Sequence, residues 1–258
     1  MIKFLAKGLI RDRSRSLFPL LTIIITVTLV IFGIGFMEGA MNNFLQSTAV
    51  ISSGHVKVVT KAYEKESSQL PNDLALFETN KIIQNLSDLY PNYFWTPRIT
   101  FGGLLDTPNE DGETKEQGPV FGIGIDFHSK TSRQIEIWEL EKYLLHGNLP
   151  KNTNDALIST KLAKQLSVNV GSTVTLISTT MDNAFTTYNF EITGIFNLNK
   201  GQVDRQMMLV DISGARQALG MEGAASEILG YHQSLYYNDN EATSMRNDFN
   251  LTISDSIT

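Results

Sequence analysis

Between Leu17 and Met37 the chain runs for 21 residues, LFPLLTIIITVTLVIFGIGFM, without a charged side chain. At 1.5 Å per residue a helix over this stretch reaches about 30 Å, the thickness of the hydrocarbon core of a bilayer. A buried helix of a water-soluble protein would keep a polar stripe, and this run has none. Pro19 falls in the first turn, where its missing N–H costs little. The hydroxyls of Thr22, Thr26 and Thr28 can bond back to their own helix. The segment reads as a membrane-spanning helix. A cleaved secretory signal has a shorter apolar stretch followed by small residues in an A-x-A arrangement. Here Glu38-Gly39-Ala40-Met41 follows, so the helix is expected to stay attached.

Charge sets its direction. Residues 1–37 carry Lys3, Lys7, Arg11, Arg13 and Arg15 against the single carboxylate of Asp12. The positive-inside rule then puts the N-terminus in the cytoplasm and everything after Glu38 on the far side. Ile2, Leu5 and Leu9 recur at helical spacing within MIKFLAKGLIRDR, with lysines around the other side, which predicts an amphipathic helix lying in the anionic inner interface. Sixteen basic and 26 acidic residues remain after residue 37, a net of −10. A domain that acidic is unsuited to neutralising phosphates, so nucleic acid is excluded as a partner. There is no cysteine, which removes disulfides, zinc-thiolate sites, iron–sulfur clusters and a thiol nucleophile.

After Glu38 the helix is expected to continue through Asn42–Gln46. Gly54–Thr60 alternates like a strand. Thr79 or Asn80 can cap a helix that aligns Ile82, Ile83, Leu86 and Leu89 and stops at Pro91. Tyr93–Leu105 reads as a strand broken or kinked at Pro97 and Gly102-Gly103, and Asp106–Gly118 as a polar loop. Strands follow at Val120–Asp126 and Ala156–Ser159, then one or two helical turns at Thr160–Leu166. Thr173–Thr179 and Thr187–Ile195 form a hairpin around Asp182-Asn183. Met207–Val210 is a strand, and Ile212–Leu219 a helix with Gly220 as its C-terminal stop. A strand within Ala225–Tyr237 and a helix over Glu241–Asn250 complete the order. The fold class is α+β: one N-terminal membrane helix, then a mixed α+β domain in two lobes. Its expected parts are an interfacial segment (1–16), the span (17–37), a connecting helix (38–52) and the outer domain (53–258).

No constellation in the sequence carries catalysis. The four histidines, His55, His128, His146 and His232, are scattered without an H-x-x-x-H pair, so no metal ligands are assigned. Gly122 and Gly124 resemble part of a nucleotide fingerprint but lack the third glycine and the helix that would face a phosphate. A strand that needs close backbone approach explains them better. There is no Walker A loop and no G-x-S-x-G elbow. The carboxylates of Asp106–Glu116 and Glu136–Glu141 read as solvated faces. No catalytic, cofactor or metal residue is assigned, and a mechanical or binding role suits the chain better than an enzyme.

Several stretches together resemble one family. R-x-R-S-x-S-L-x-x-L-L-T begins at Arg11 and leads into an apolar span ending G-x-G-x-M-x-G at Gly39. Ser53–Val58 follows closely, then Gly122–Asp126, Gly147-x-Leu149 and the run Leu157–Leu176. Ile192–Phe196 and Leu209–Asp211 through Ala215–Leu219 continue the order. In register over nearly its whole length, the chain resembles the N-terminal part of MacB/FtsX-like ABC transporter permeases, most nearly the lipoprotein-releasing subunits. Phe127 departs from the pattern, since the relatives tend to have proline there. The family also has three further membrane helices after the outer domain, and residues 1–258 include none of them.

The resemblance implies a bacterial inner-membrane protein with its main domain periplasmic. It implies a separate cytoplasmic ABC ATPase as motor, a second permease chain in a homo- or heterodimer, and contact with membrane lipid. It also implies a lipoprotein or other amphipathic substrate. The ATPase-contacting helix of the family lies among the later spans, so residues 1–258 are not expected to dock the motor alone. The competing expectation is a single-span anchored binding or sensor protein.

Overall fold

The computed structural model describes residues 13–108, 113–129, 132–198 and 205–252. The chain divides into two units, residues 1–48 and 49–258.

The first unit is a helix, α1, Arg13–Thr48, of 36 residues and so about 54 Å long. Large apolar side chains from Leu17 to Met41 stand in the open, with Phe18 77% and Met37 72% exposed. The stretch Leu17–Asn42 has a mean hydropathy of 2.6 and none of it is buried within the protein. Lipid, not water, makes such a surface stable, because apolar side chains are favoured out of water, and the helix interior satisfies its backbone polar groups there. Thr22 and Thr26 donate their hydroxyls to the carbonyls of Phe18 and Thr22, at 2.9 and 2.8 Å. Pro19, expected in the first turn, lies deeper inside the helix, which is already formed at Arg13, and does not end it. As expected, the helix runs on past Gln46. The interfacial segment expected around Ile2, Leu5 and Leu9 lies outside the described residues.

The second unit opens with a π turn, Ala49–Ser53, and β1, Val56–Val58. Next come α2 (Lys61–Glu66), α3 (Thr79–Leu89), the long strand β2 (Tyr93–Pro108) and β3 (Thr114–Ile125). Two single-turn helices, α4 (Gln134–Ile137) and α5 (Leu140–Tyr143), lead to β4 (Leu144–Gly147). Then follow β5 (Asp155–Ser159), α6 (Thr160–Gln165) and the hairpin β6 (Thr173–Thr179) and β7 (Phe185–Phe196). The described chain closes with β8 (Met207–Asp211), α7 (Ile212–Leu219), β9 (Glu227–His232) and α8 (Asp239–Thr252).

The strands form one mixed sheet in the order β1-β9-β2-β3-β8-β5-β7-β4, with β6 pairing β2 and β7. β3–β8 and β5–β7 are parallel and the other pairs antiparallel. β5 and β8 are buried along their whole length, as strands covered on both faces must be. One face of the larger part of the sheet packs on Leu162, Leu166, Ala215 and Leu219 of α6, α7 and the residues just after them. The other packs on Ile137, Trp138 and Leu140. A third cluster seats Ile82 and Leu86 of α3 on Tyr93, Trp95 and Ile228. The α+β class and the hairpin around Asp182-Asn183 appear as expected, and Gly220 ends α7 in the left-handed region at φ 63°.

Four local expectations are corrected. The residue before α3 is Glu78, with φ 49° and no side-chain cap. Thr79 instead directs its N–H and its hydroxyl to the carbonyl of Gly223, so a distant loop satisfies the helix start. Leu89, expected on the packed face, is 50% exposed. β2 is not broken at Pro97 or Gly102-Gly103. It changes partner just after Pro97, pairing β9 up to Arg98 and β3 from Ile99 onward, and runs unbroken through Gly102-Gly103. Finally, Asp106–Gly118 is not a loop throughout. β2 extends to Pro108 and β3 starts at Thr114, and Thr107 Oγ1 both donates to the carbonyl of Glu116 and accepts its N–H. Ladder pairing overrides polarity at these strand ends.

The G-x-G pair is explained by pleat. Ile123 and Ile125 join the cluster around Trp138, which turns Gly122 and Gly124 to the opposite face. A Cβ on Gly122 would lie 2.0 Å from Cζ of Phe101, and one on Gly124 2.7 Å from Cβ of Ala215. These glycines admit a ring and a helix, not a phosphate.

Candidate coupling site

A helix end leaves carbonyl groups without intrahelical partners, and they must find donors elsewhere. In the turn Ala49–Ser53 three consecutive carbonyls are taken by side chains of the sheet domain. The carbonyl of Val50 accepts from Trp138 Nε1–H at 3.1 Å and from the Tyr231 hydroxyl at 3.0 Å. Both of its lone pairs are thereby used. Arg98 donates Nη1–H to the carbonyl of Ile51 at 2.8 Å and Nη2–H to that of Ser52. A cation placed against such carbonyls also complements their partial negative charge.

Arg98 is held for this task. It lies on β2 directly opposite Glu227 on β9, and its Nε–H donates to Glu227 Oε1 at 2.7 Å. Lys57 of β1 binds the other oxygen, Oε2, at 3.2 Å. Arg98 is 4% and Glu227 3% exposed. Two charges that deeply withdrawn from water persist only when each is fully partnered, and here the guanidinium spends its donors on one carboxylate and two carbonyls. Burial pushes the Tyr231 phenol above its ordinary pKa, so it remains a donor at neutral pH. Its ring stacks on Phe94 with centroids 5.3 Å apart, and the Arg133 guanidinium lies 5.2 Å from the centroid of Phe94. The turn is therefore fastened to β2, β9 and the end of α4 at once.

None of Arg98, Trp138, Glu227 or Tyr231 stands out in a motif search. The available signal is subtler: Arg98 and Glu227 are lone charges of opposite sign inside apolar strand sequences, Trp-Thr-Pro-Arg-Ile-Thr-Phe and Glu-Ile-Leu-Gly-Tyr. Such charges are rarely buried unless paired.

Of the histidines, His146 is exposed on β4. His128 Nε2 is 3.6 Å from Asp211 Oδ2, where Asp211 also caps α7 through Ser213 N–H. The fold brings together His55 and His232, 177 positions apart. The backbone N–H of His232 donates to His55 Nδ1 at 3.0 Å, and His232 Nε2 lies 3.9 Å from Glu241 Oε1. Among the described residues no group of three His, Asp or Glu is arranged to hold a metal ion. Glu136 pairs with Arg133 at 2.9 Å on the surface. The polar groups gathered around Val50, Ile51 and Ser52 grip backbone.

The model of the MacB-like periplasmic core domain matches residues 16–237. Among solved structures, the periplasmic region of MacB from Actinobacillus actinomycetemcomitans is similar at 15% identity, over 68% of this chain and 74% of that one, with a TM-score of 0.43. Curated proteins yield no match. The family match runs from the start of the apolar helix to beyond β9, and on that basis the chain belongs to the MacB-like periplasmic core domain family, as a membrane-anchored, permease-type component of an ABC transporter.

Proposed function

We propose that the chain transmits motion: as the N-terminal part of a permease subunit, it couples ATP hydrolysis by a separate cytoplasmic ATPase to displacement of its periplasmic domain. The carrying observation is the fastening of Val50, Ile51 and Ser52 by Trp138, Tyr231 and the Arg98–Glu227 pair. A force arriving along the chain at Ala49 meets half-buried polar contacts to three separate elements of the sheet domain. The N-terminus is cytoplasmic and the membrane is the bacterial inner membrane, following the basic cluster ahead of the span. A second permease chain completes the unit, and the cargo is a lipoprotein or another amphipathic molecule, as the sequence resemblance implies.

The test uses the complete gene product that contains residues 1–258, tagged and purified from native membranes. An ATPase with a Walker A sequence should accompany it. In the reconstituted complex, Arg98→Met/Glu227→Met should leave ATP hydrolysis largely intact while cargo displacement falls at least tenfold. A gene product that is stable, membrane-inserted and free of any ATPase refutes the proposal. So does a double variant that moves cargo normally.

A further inference from the structure

A cavity of about 360 Å³ opens between β1, the end of α3, β2 and α8, within the sheet domain. That volume falls in the range of small-molecule sites, roughly 300–1,000 Å³. Its walls include the rings of His55, Tyr90, Trp95, Tyr237 and Phe249, within a lining that is polar and apolar in about equal measure. Lys61 and Arg246 line it together with Glu64 and Asp239, so the rim has charges of both signs.

Two of the wall residues are unusual. Trp95 is 8% and His55 6% exposed, and neither Trp95 Nε1 nor His55 Nε2, both buried, has a hydrogen-bond partner. Indole nitrogen is a donor only. For His55 the tautomer follows from geometry: Nδ1 accepts the His232 N–H at 3.0 Å, so the neutral ring carries its hydrogen on Nε2. Burial, aided by His232 and opposed by Glu241, holds the His55 pKa down to about 4, which keeps the ring neutral at pH 7. Two residues of the lining therefore carry a buried N–H donor that no protein acceptor takes. A buried donor left unpaired is costly, and such atoms in native proteins commonly mark a ligand or functional role.

We infer that this cavity binds a small molecule with an apolar or aromatic body and one carbonyl or carboxylate acceptor, which takes the N–H groups of Trp95 and His55. The rings of Tyr90, Trp95 and Phe249 receive the body. The mixed rim charges make the acceptor, not net charge, the determinant. This site is independent of the transport reading and would serve an anchored receptor equally well.

The chain has two tryptophans, and the other, Trp138, already donates to Val50, so it is an internal reference. The whole chain, labelled with ¹⁵N-tryptophan and held in lipid nanodiscs, would be titrated with 3-phenylpropanoate, 3-phenylpropanamide and 3-phenylpropylamine. The two acceptor-bearing probes should move the Trp95 indole N–H resonance downfield while Trp138 stays in place. The amine, which offers only donors when protonated, should bind at least tenfold more weakly. Trp95→Phe retains a ring but lacks the donor, and by calorimetry it should weaken both acceptor probes about fivefold. If that variant does not fold, the wild-type titration still decides. The inference fails if neither acceptor probe shifts Trp95 at millimolar concentration, if the amine matches them, or if both indoles shift alike.

Discussion

Replacing Arg98 with methionine keeps most of the side-chain volume and removes every donor of the guanidinium. Glu227, 3% exposed, is left with Lys57 alone at 3.2 Å, and the carbonyls of Ile51 and Ser52 lose their partners. Breaking a buried ion pair from one side costs about 3–5 kcal/mol. The carbonyl losses add little, because Ser52 is exposed and Ile51 only half-buried, so water can replace the donor. For a domain of this size each kcal/mol moves Tm by about 2–4 °C, so the variant should melt about 6–20 °C lower. Circular dichroism or scanning calorimetry on the whole chain in detergent reads this directly. Arg98→Met/Glu227→Met removes the stranded charge as well and should recover most of the loss. A single variant within about 2 °C of wild type, or a double variant no better than the single one, would refute the reasoning that charge burial dominates this contact.

Other perturbations test separate parts of the structure. His55, held to about pKa 4 against 6.5 when unfolded, binds its proton in the unfolded chain first; stability should therefore fall as pH drops from about 6.5 to 4, by on the order of 2 kcal/mol. Urea unfolding at pH 7.5 and 4.5 should show this loss in wild type and a smaller one in His55→Phe, which cannot titrate there. Gly122→Ala would place its Cβ 2.0 Å from the buried Phe101 ring and should cost about 3 kcal/mol or more, whereas Gly102→Ala, with Leu70 Cδ1 3.9 Å away as its nearest neighbour, should be near neutral in the same unfolding assay. Val27→Arg puts a charge near the middle of the apolar stretch, at a cost of about 2.5–3.5 kcal/mol on insertion scales. The fraction of chain resistant to alkaline carbonate extraction should drop, and an unchanged fraction would contradict a spanning helix.

The membrane helix was legible from 21 uncharged residues because a bilayer demands a continuous apolar surface and imposes it one residue at a time. The strand–helix order of the domain was readable for the same reason: pleat and helical periodicity are local, as in Ile212–Leu219 and its Gly220 stop, or the hairpin around Asp182-Asn183. Local reading failed where a distant element satisfies a backbone group. Gly223 replaces the expected cap of α3, and the β2–β3 ladder draws the polar residues at the end of β2 and the start of β3 into strand. The candidate sites lie wholly in that second category. Arg98 meets Glu227 across 129 positions and Ile51 across 47, and His55 meets His232 across 177. No spacing rule connects residues so far apart; only the pairing of β9 between β1 and β2 sets lone charges, donors and carbonyls at bonding distance.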